Sequence, residues 1–479
     1  MTPSSSDHPT SSLELSLREI PGSYGLPFIG PIKDRYDYFY NQGENEFFKS
    51  RIQKYNSTVF RTNMPPGPFI SSSPKVVAVL DSKSFTILFD NDKVEKRDIL
   101  DGTYMPSTSF FGGYRVCAFL DTTESNHHAL KTFFLSFLAS SHKKFIPYLR
   151  TSLAELFENL ENEISEKKSA DFNNHSDNMA FDFVFKLVTG VLPSETELKS
   201  KGPGTIATWL ALQLAPLGTA GIKPNFIDDI IHTVRLPFLL IKSGYKQLYN
   251  AVYDSASSLL DEAETLGMKR EEACHNLVFL AGFNAFGGMK VLFPTLIRWI
   301  GSGGEDLHRR LAEEIRAVVK EEGDITFSAL EKMPLTKSVV YETLRINPPV
   351  PFQYAKARED IVVESHDAAF QIKKGEIIFG YQPFATKDPK VFENPEDFVA
   401  DRFVGEGEKL INYVYWSNAR ETEQPSADNK QCPGKDLVVL CCRLMLVELF
   451  LRYDTFTVEI GKLSALGASI TIASFRKAT

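Results

Sequence analysis

Cysteine, positive charge and long apolar runs are all scarce in this sequence. Among 479 residues there are five cysteines (Cys117, Cys274, Cys432, Cys441 and Cys442) and no C-x-x-C pair. That is too sparse for a disulfide framework, and a reducing compartment follows. Basic residues are outnumbered, 53 against 61 acids for a net charge of −8, and they form no stripe. That argues against nucleic acid as the main partner and favours small molecules. Nowhere do 18 uncharged apolar residues run together, so no membrane span is expected, although apolar surface patches could still hold the protein to a membrane. The opening MTPSSSDHPTSSLELSLREI lacks the apolar core of a signal peptide and carries its only Arg at position 18. It reads as a disordered tail over residues 1–15.

What is present is length enough for a large core and a change of pattern along the chain. A proline- and glycine-rich entry segment, REIPGSYGLPFIGPIKDRYDYFY, leads to strand-like pieces, STVFRTN and KVVAVL, bounded by MPPGP and SSSPK. From about residue 127 apolar residues recur at three and four spacing, in HALKTFFLSFLA, LRTSLAELFENLENEISEKK, QLYNAVYDSASSLLDEAETLG and LHRRLAEEIRAVVKEEG. A strand-rich patch over 361–384 contains AFQIKKGEIIFGYQ, which reads as a hairpin turning at KKG, and helix returns over 436–452. Polar loops are expected at 164–178, 198–204 and 417–431. With no internal repeat and no long linker, the expectation is one domain over 16–479, mainly α with a small β-rich part.

Three constellations carry chemistry. Cys432 sits in a Pro/Gly turn, NKQCPGKDL, just before a long apolar helix. Unpaired backbone N–H groups and the positive end of the helix dipole favour thiolate over thiol there, the form an iron ligand takes; the alternative is a small hydrophobe closing a loop. In PLTKSVVYETLRINPPVPFQY, Glu342 and Arg345 stand three apart and can pair on one helix face, with Pro348 and Pro349 ending the helix. The same spacing at Glu313 and Arg316 reads as a solvated surface pair, whereas Val339, Val340 and Leu344 surround Glu342. In FLAGFNAFGG, residues 279–288, the amide of Asn284 lies in an apolar run with no acid or hydroxyl beside it. Such an amide costs stability unless it is bonded, and Gly287 and Gly288 thin the helix so that something flat could approach its backbone. The alternative is a core Asn bonded to neighbouring backbone.

In their order along the chain, the Gly-thinned helix, the E-x-x-R helix with its prolines, FVADRF and KQCPGK resemble the cytochrome P-450 superfamily. The resemblance covers essentially the whole chain. It implies a mainly α-helical haem-thiolate fold, haem b with Cys432 as its axial ligand, and Glu342, Arg345 and Arg402 as a structural triad. Oxygen-activating members carry an acid and a Thr in the distal helix, where this chain has Asn284 and Phe286, and the polar stretch WSNARETEQPSADNK before the Cys turn is longer than the common pattern. Both departures, together with NMPPGPF, GTYMPS, FNAFGGMK, SVVYETLR, GYQPFATKDP and NKQCPGKDL, are similar to the plant hydroperoxide-metabolising branch: hydroperoxide lyases, allene oxide synthases, divinyl ether synthases and epoxyalcohol synthases.

That resemblance implies a fatty acid hydroperoxide as substrate, with homolytic O–O cleavage at ferric haem and no dioxygen, NADPH or redox partner. Asn284 is then expected to hydrogen-bond the peroxide oxygens, with Phe286 and Leu100 as its companions in the catalytic pocket. Lys96, His127, Lys131 and Lys430 match positions that approach the haem propionates, and Lys290 matches another basic position after the distal helix. In RDILDGTYMP, Leu100 stands where allene oxide synthases usually present Phe and lyases present Leu. The expected activity is a hydroperoxide lyase that converts 9- or 13-hydroperoxides of linoleic or linolenic acid to a hemiacetal, which falls apart into short aldehydes and oxo-acids. Allene oxide synthase is the alternative, followed by epoxyalcohol and divinyl ether synthases on the same scaffold. The missing acid–Thr relay argues against a redox-partner-dependent monooxygenase. Plastid members of the branch usually have a longer leader, so the expected location is the cytosol or a loosely attached peripheral position on a membrane.

Overall fold

The computed structural model describes residues 15–100, 102–464 and 467–479, so the tail expected over 1–15 lies almost wholly outside the described residues. Helix α1 (Ser125–Lys167) runs for 43 residues and passes through Pro147. Two of the apolar-periodic stretches therefore form one helix. Helix α2 (Phe172–Thr189) begins inside the stretch expected to be a polar loop. Asp171 caps it, its carboxylate accepting the Asn174 N–H at 3.2 Å, and the polar residues of the first turns alternate with buried Phe172 and Ser176.

Helix α3 spans Arg270–Ser302, and its middle, Leu280–Phe286, widens into π-helical turns of the kind that recur at functional sites. By length and composition it could cross a membrane, but half of its most apolar stretch is buried inside the protein, with Leu292, Phe293, Leu296 and Ile297 in the core. Helices α4 (Gly304–Glu322), α5 (Pro334–Ile346) and α6 (Lys435–Arg452) pack with it. Every residue of α6 from Val439 to Phe450 is buried. The two charges in that run have partners: Arg443 pairs with Glu331 at 2.6 Å, and Glu448 accepts Arg150 at 2.7 Å.

Three small sheets complete the fold. The five-stranded one has the order β2 (Val59–Asn63), β3 (Lys75–Val79), β9 (Ile377–Tyr381), β6 (Phe352–Ala357), β4 (Val94–Glu95), with only the β3–β9 pair parallel. A second joins β1 (Leu17–Arg18), β8 (Ala369–Ile372) and β7 (Ile361–Glu364), and a third joins β10 (Tyr453–Ser464), β11 (Gly467–Lys477) and β5 (Ala170–Asp171). The hairpin expected at KKG is absent among these pairings. Its two arms, β8 and β9, lie in different sheets, and the turn between them, with Gly375 at φ 86°, hands the chain from one sheet to the other. The elements that matter next are β4, which delivers Lys96, the first turns of α1, the π-helical turns of α3, helix α5, and the loop that enters α6.

Candidate active site

Cys432 is half-buried at the entrance to α6. Its N–H donates to the Ser417 carbonyl at 2.8 Å, and the Gly434 N–H donates to its sulfur. The helix entrance does not win the electrostatic contest expected from the sequence. Burial pushes the Cys432 thiol above its ordinary value, against the pull of the Gly434 N–H and the Lys131 ammonium. A sulfur placed this way becomes a thiolate when a metal cation supplies the missing charge.

Four cationic or basic side chains gather beside it from three distant parts of the chain. Lys96 follows β4, His127 and Lys131 lie in the first two turns of α1, and Lys430 stands two residues before Cys432. Lys96, His127 and Lys131 are all at least 94 % buried, and none of the lysines has a carboxylate partner among the described residues. Lys96 Nζ donates to the amide oxygens of Gln353, at 3.2 Å, and Asn418. Lys131 Nζ donates to the carbonyls of Asn429, at 2.9 Å, and Gln431. Lys430 Nζ donates to the carbonyls of Cys117, Ala118 and Leu120 at 2.7–3.2 Å. Asp121, whose charge acts on His127 and Lys430, already accepts Arg358 at 2.6 Å and the Lys96 N–H at 2.8 Å.

Buried charge without counter-charge is costly, and the groups respond by losing basicity. Burial first, then their mutual repulsion, pushes Lys96 to about 7 and His127 to about 4; burial likewise pushes Lys131 to about 8 and holds Lys430 below its ordinary value. The Nδ1 atom of His127 is buried with no hydrogen-bond partner among the described residues. Such a cluster fits a group carrying two carboxylates next to a metal bound by Cys432, which is the form of a haem with its propionates. Gln353 and Asn418, which hold Lys96, gave no signal in the sequence, because single amides in a strand and a polar loop look like any others.

On α3, Asn284 is exposed and, although its carbonyl accepts the Gly287 N–H, its side-chain amide bonds no described residue, so it is not a core amide bonded to neighbouring backbone. Beside it, Gly282 is packed so closely that an added Cβ would lie 2.2 Å from Ile206, whereas Gly288 has open space. The sequence pointed to Gly287 and Gly288, and the glycine that close packing requires is Gly282. Phe286 differs from its expected role. Two positions beyond Asn284 it turns to another face, is fully buried and meets the Phe181 ring of α2 edge-on at 6.1 Å, which makes it a packing residue. Leu100 is half-buried against the same core as Phe283 and Ala285, in a turn closed by its N–H on the Tyr104 carbonyl at 3.2 Å. Lys290 does not join the other cations. It is ion-paired with Asp177 of α2, and a cation already neutralised there is not free to hold a haem carboxylate.

Glu342, Arg345 and Arg402 meet in full burial. The Arg345 guanidinium takes both Glu342 oxygens at 2.7 and 2.9 Å, and Arg402 Nε takes the same two at 2.9 and 3.0 Å. The remaining donors of both arginines reach carbonyls of residues 386–397, and the Val399 N–H completes the carboxylate's shell at 2.8 Å. The pair thus fastens α5 to the segment that precedes the Cys loop.

A half-buried cysteine at a helix entrance with anion-seeking cations beside it, on a mainly α-helical scaffold, defines a haem-thiolate protein. Comparison with known proteins agrees. Residues 305–460 match the cytochrome P450 family model. The chain is 57 % identical over 469 residues to allene oxide synthase 3 of Solanum lycopersicum, covering 97 % of this chain and 95 % of that one. It is 53 % identical over 472 residues to the chloroplastic allene oxide synthase of Arabidopsis thaliana (98 % and 91 % covered), and 52 % identical over 472 residues to the 9-divinyl ether synthase of Capsicum annuum (98 % of each). The chain belongs to the cytochrome P450 superfamily, in its plant hydroperoxide-metabolising branch, and is a haem-thiolate enzyme. Several of the allene oxide synthases are named chloroplastic, so the expected cytosolic location draws no support from them.

Proposed function

We propose that this enzyme is an allene oxide synthase, converting a fatty acid hydroperoxide to an unstable allene oxide and water with no redox partner. The observation that carries the reading is the identity of 53–57 % over nearly the whole chain to proteins of that name. The lyase expected from the sequence rested first on Leu100, with the segments FFLSFLASSH and EEACHNLVFLAGFNAFGGMKVLFPT also similar to lyases, and these features favour a lyase as second reading.

The haem, when bound, supplies one-electron cleavage of the weak O–O bond. The protein's part is to hold and orient. Cys432 would hold the haem iron through its thiolate, Lys96, Lys131, Lys430 and His127 would hold the propionates, and the Glu342–Arg345–Arg402 cluster would keep the Cys loop in register with α5. The Asn284 side-chain amide is a donor on α3 with no partner among the described residues. It can bond a peroxide oxygen without delivering the proton that an acid would, which leaves the substrate's own oxygen–oxygen bond as the only oxidant. Exposed Phe28, Ile29, Phe226, Leu239 and Leu240 support peripheral attachment to a lipid surface, the source of an acyl substrate.

The test is to mix the holoenzyme with the 9- and 13-hydroperoxides of linoleic and linolenic acids, without NADPH or reductase, and identify early products by mass spectrometry. Ketols from a hydrolysed allene oxide are expected. Short aldehydes with oxo-acids would replace the reading with the lyase.

A further inference from the structure

The long polar stretch before the Cys turn does more than carry Lys430. Glu421, in its middle, is 3 % exposed. Tyr341 Oη donates to one of its carboxylate oxygens and Ser417 Oγ to the other, each at 3.3 Å. The Ser417 hydroxyl also accepts from Gln431 Nε2 at 3.2 Å, and its carbonyl accepts the Cys432 N–H at 2.8 Å. Lys435 Nζ donates to the Glu421 carbonyl at 3.2 Å. The residue before Cys432, the residue three beyond it and Cys432 itself are thus all tied to Ser417 or Glu421. Tyr341, the remaining donor, adjoins Glu342 on α5.

A loop that only had to be soluble would leave such an acid in water, since a buried carboxyl is retained at a cost that its hydrogen bonds only partly offset. Burial pushes the Glu421 carboxyl up to about 7, so above that pH the arrangement places a negative charge close enough to act on the Cys432 sulfur. A carboxylate there opposes the addition of an electron to the metal–thiolate unit and strengthens the thiolate as a donor, as groups beyond the ligands commonly do at metal centres.

We propose that Glu421 is a positioning residue for Cys432. Through Ser417 it fixes the backbone of the ligand loop, through Tyr341 it ties that loop to α5, and its carboxylate lowers the reduction potential of the bound haem. The proposal rests on Cys432 being the thiolate ligand.

The test uses holoenzyme of the wild type, Glu421→Gln and Ser417→Ala, and compares haem midpoint potential, ferrous–CO spectrum and thermal melting. Glu421→Gln should keep the wild-type melting temperature while its midpoint potential moves positive, a change that a merely structural role would not produce. Ser417→Ala, which retains the carboxyl but cuts its link to the ligand loop, should convert part of the ferrous–CO complex to a form lacking the thiolate-type band. Wild-type potential and spectrum in Glu421→Gln would overturn the proposal. Should that variant fail to fold or load haem, an unchanged spectrum in Ser417→Ala would overturn it instead. A wild-type spectrum with no thiolate signature would overturn the assignment of Cys432, and the proposal with it.

Discussion

The two sides of the site are built to different densities of hydrogen bonding. Around the Cys loop and α5, charged and polar groups are buried and bonded: Glu342 accepts from two arginines and a backbone N–H, Glu421 from Tyr341 and Ser417, and Cys432 N–H reaches Ser417. In the π-helical turns of α3 one side-chain amide, that of Asn284, stands exposed with no partner among the described residues. A group that must hold a metal in fixed geometry is given a rigid surround, whereas a group that must bond a transient peroxide is left free until the substrate arrives.

This contrast can be broken from either side. The largest effect is expected at Glu342→Gln, which leaves two buried guanidinium groups facing a neutral amide. Removing one partner from such a cluster should cost about 3–5 kcal/mol in denaturant unfolding, with loss of haem as a consequence. A cost below about 1 kcal/mol would mean that the cluster is ornamental.

Asn284→Ala should do the opposite, leaving unfolding free energy and haem spectrum at wild-type values. Hydroperoxide turnover should fall about 100-fold, the usual size for a lost transition-state donor. Next comes a comparison within the cations. Lys131→Met should weaken haem retention about tenfold, as expected for loss of a charged hydrogen bond, while Lys290→Met, which disturbs only the pair with Asp177, should leave retention unchanged. Haem-transfer rates to a scavenger protein would read both.

The smallest effect concerns the start of α3. The His275 ring is stacked on Tyr245 and hydrogen-bonded to its hydroxyl at 2.7 Å, and burial holds its value down at about 4 against an ordinary 6.5. The folded state therefore binds fewer protons than the unfolded chain between these values, so stability present above about 6.5 is lost as the pH falls toward 4. His275→Phe should flatten that part of the stability–pH profile.

Much of this was legible in the sequence, and the parts that were not share a physical reason. Periodicity found the helices, and the Cys turn and the E-x-x-R spacing stood out because each places fixed chemistry a fixed distance along one helix. The apparent hairpin at 369–382 failed because alternation reveals strands without revealing their partners, and these two strands found partners far away in sequence. Lys290 was expected just after the distal helix, but it lies within α3, and its ion pair is with a residue 113 positions away. Glu421 was invisible for the same reason: among the polar residues of 416–430 nothing local marks those, Ser417 and Glu421, that fold inward.

The most direct test of the account is to mix holoenzyme and a conjugated-diene fatty acid hydroperoxide anaerobically, with no NADPH and no reductase, and follow the diene absorbance. Prompt, stoichiometry-exceeding loss of the diene is predicted, because the substrate carries its own oxidant. A diene that persists until an electron donor is added would contradict the account.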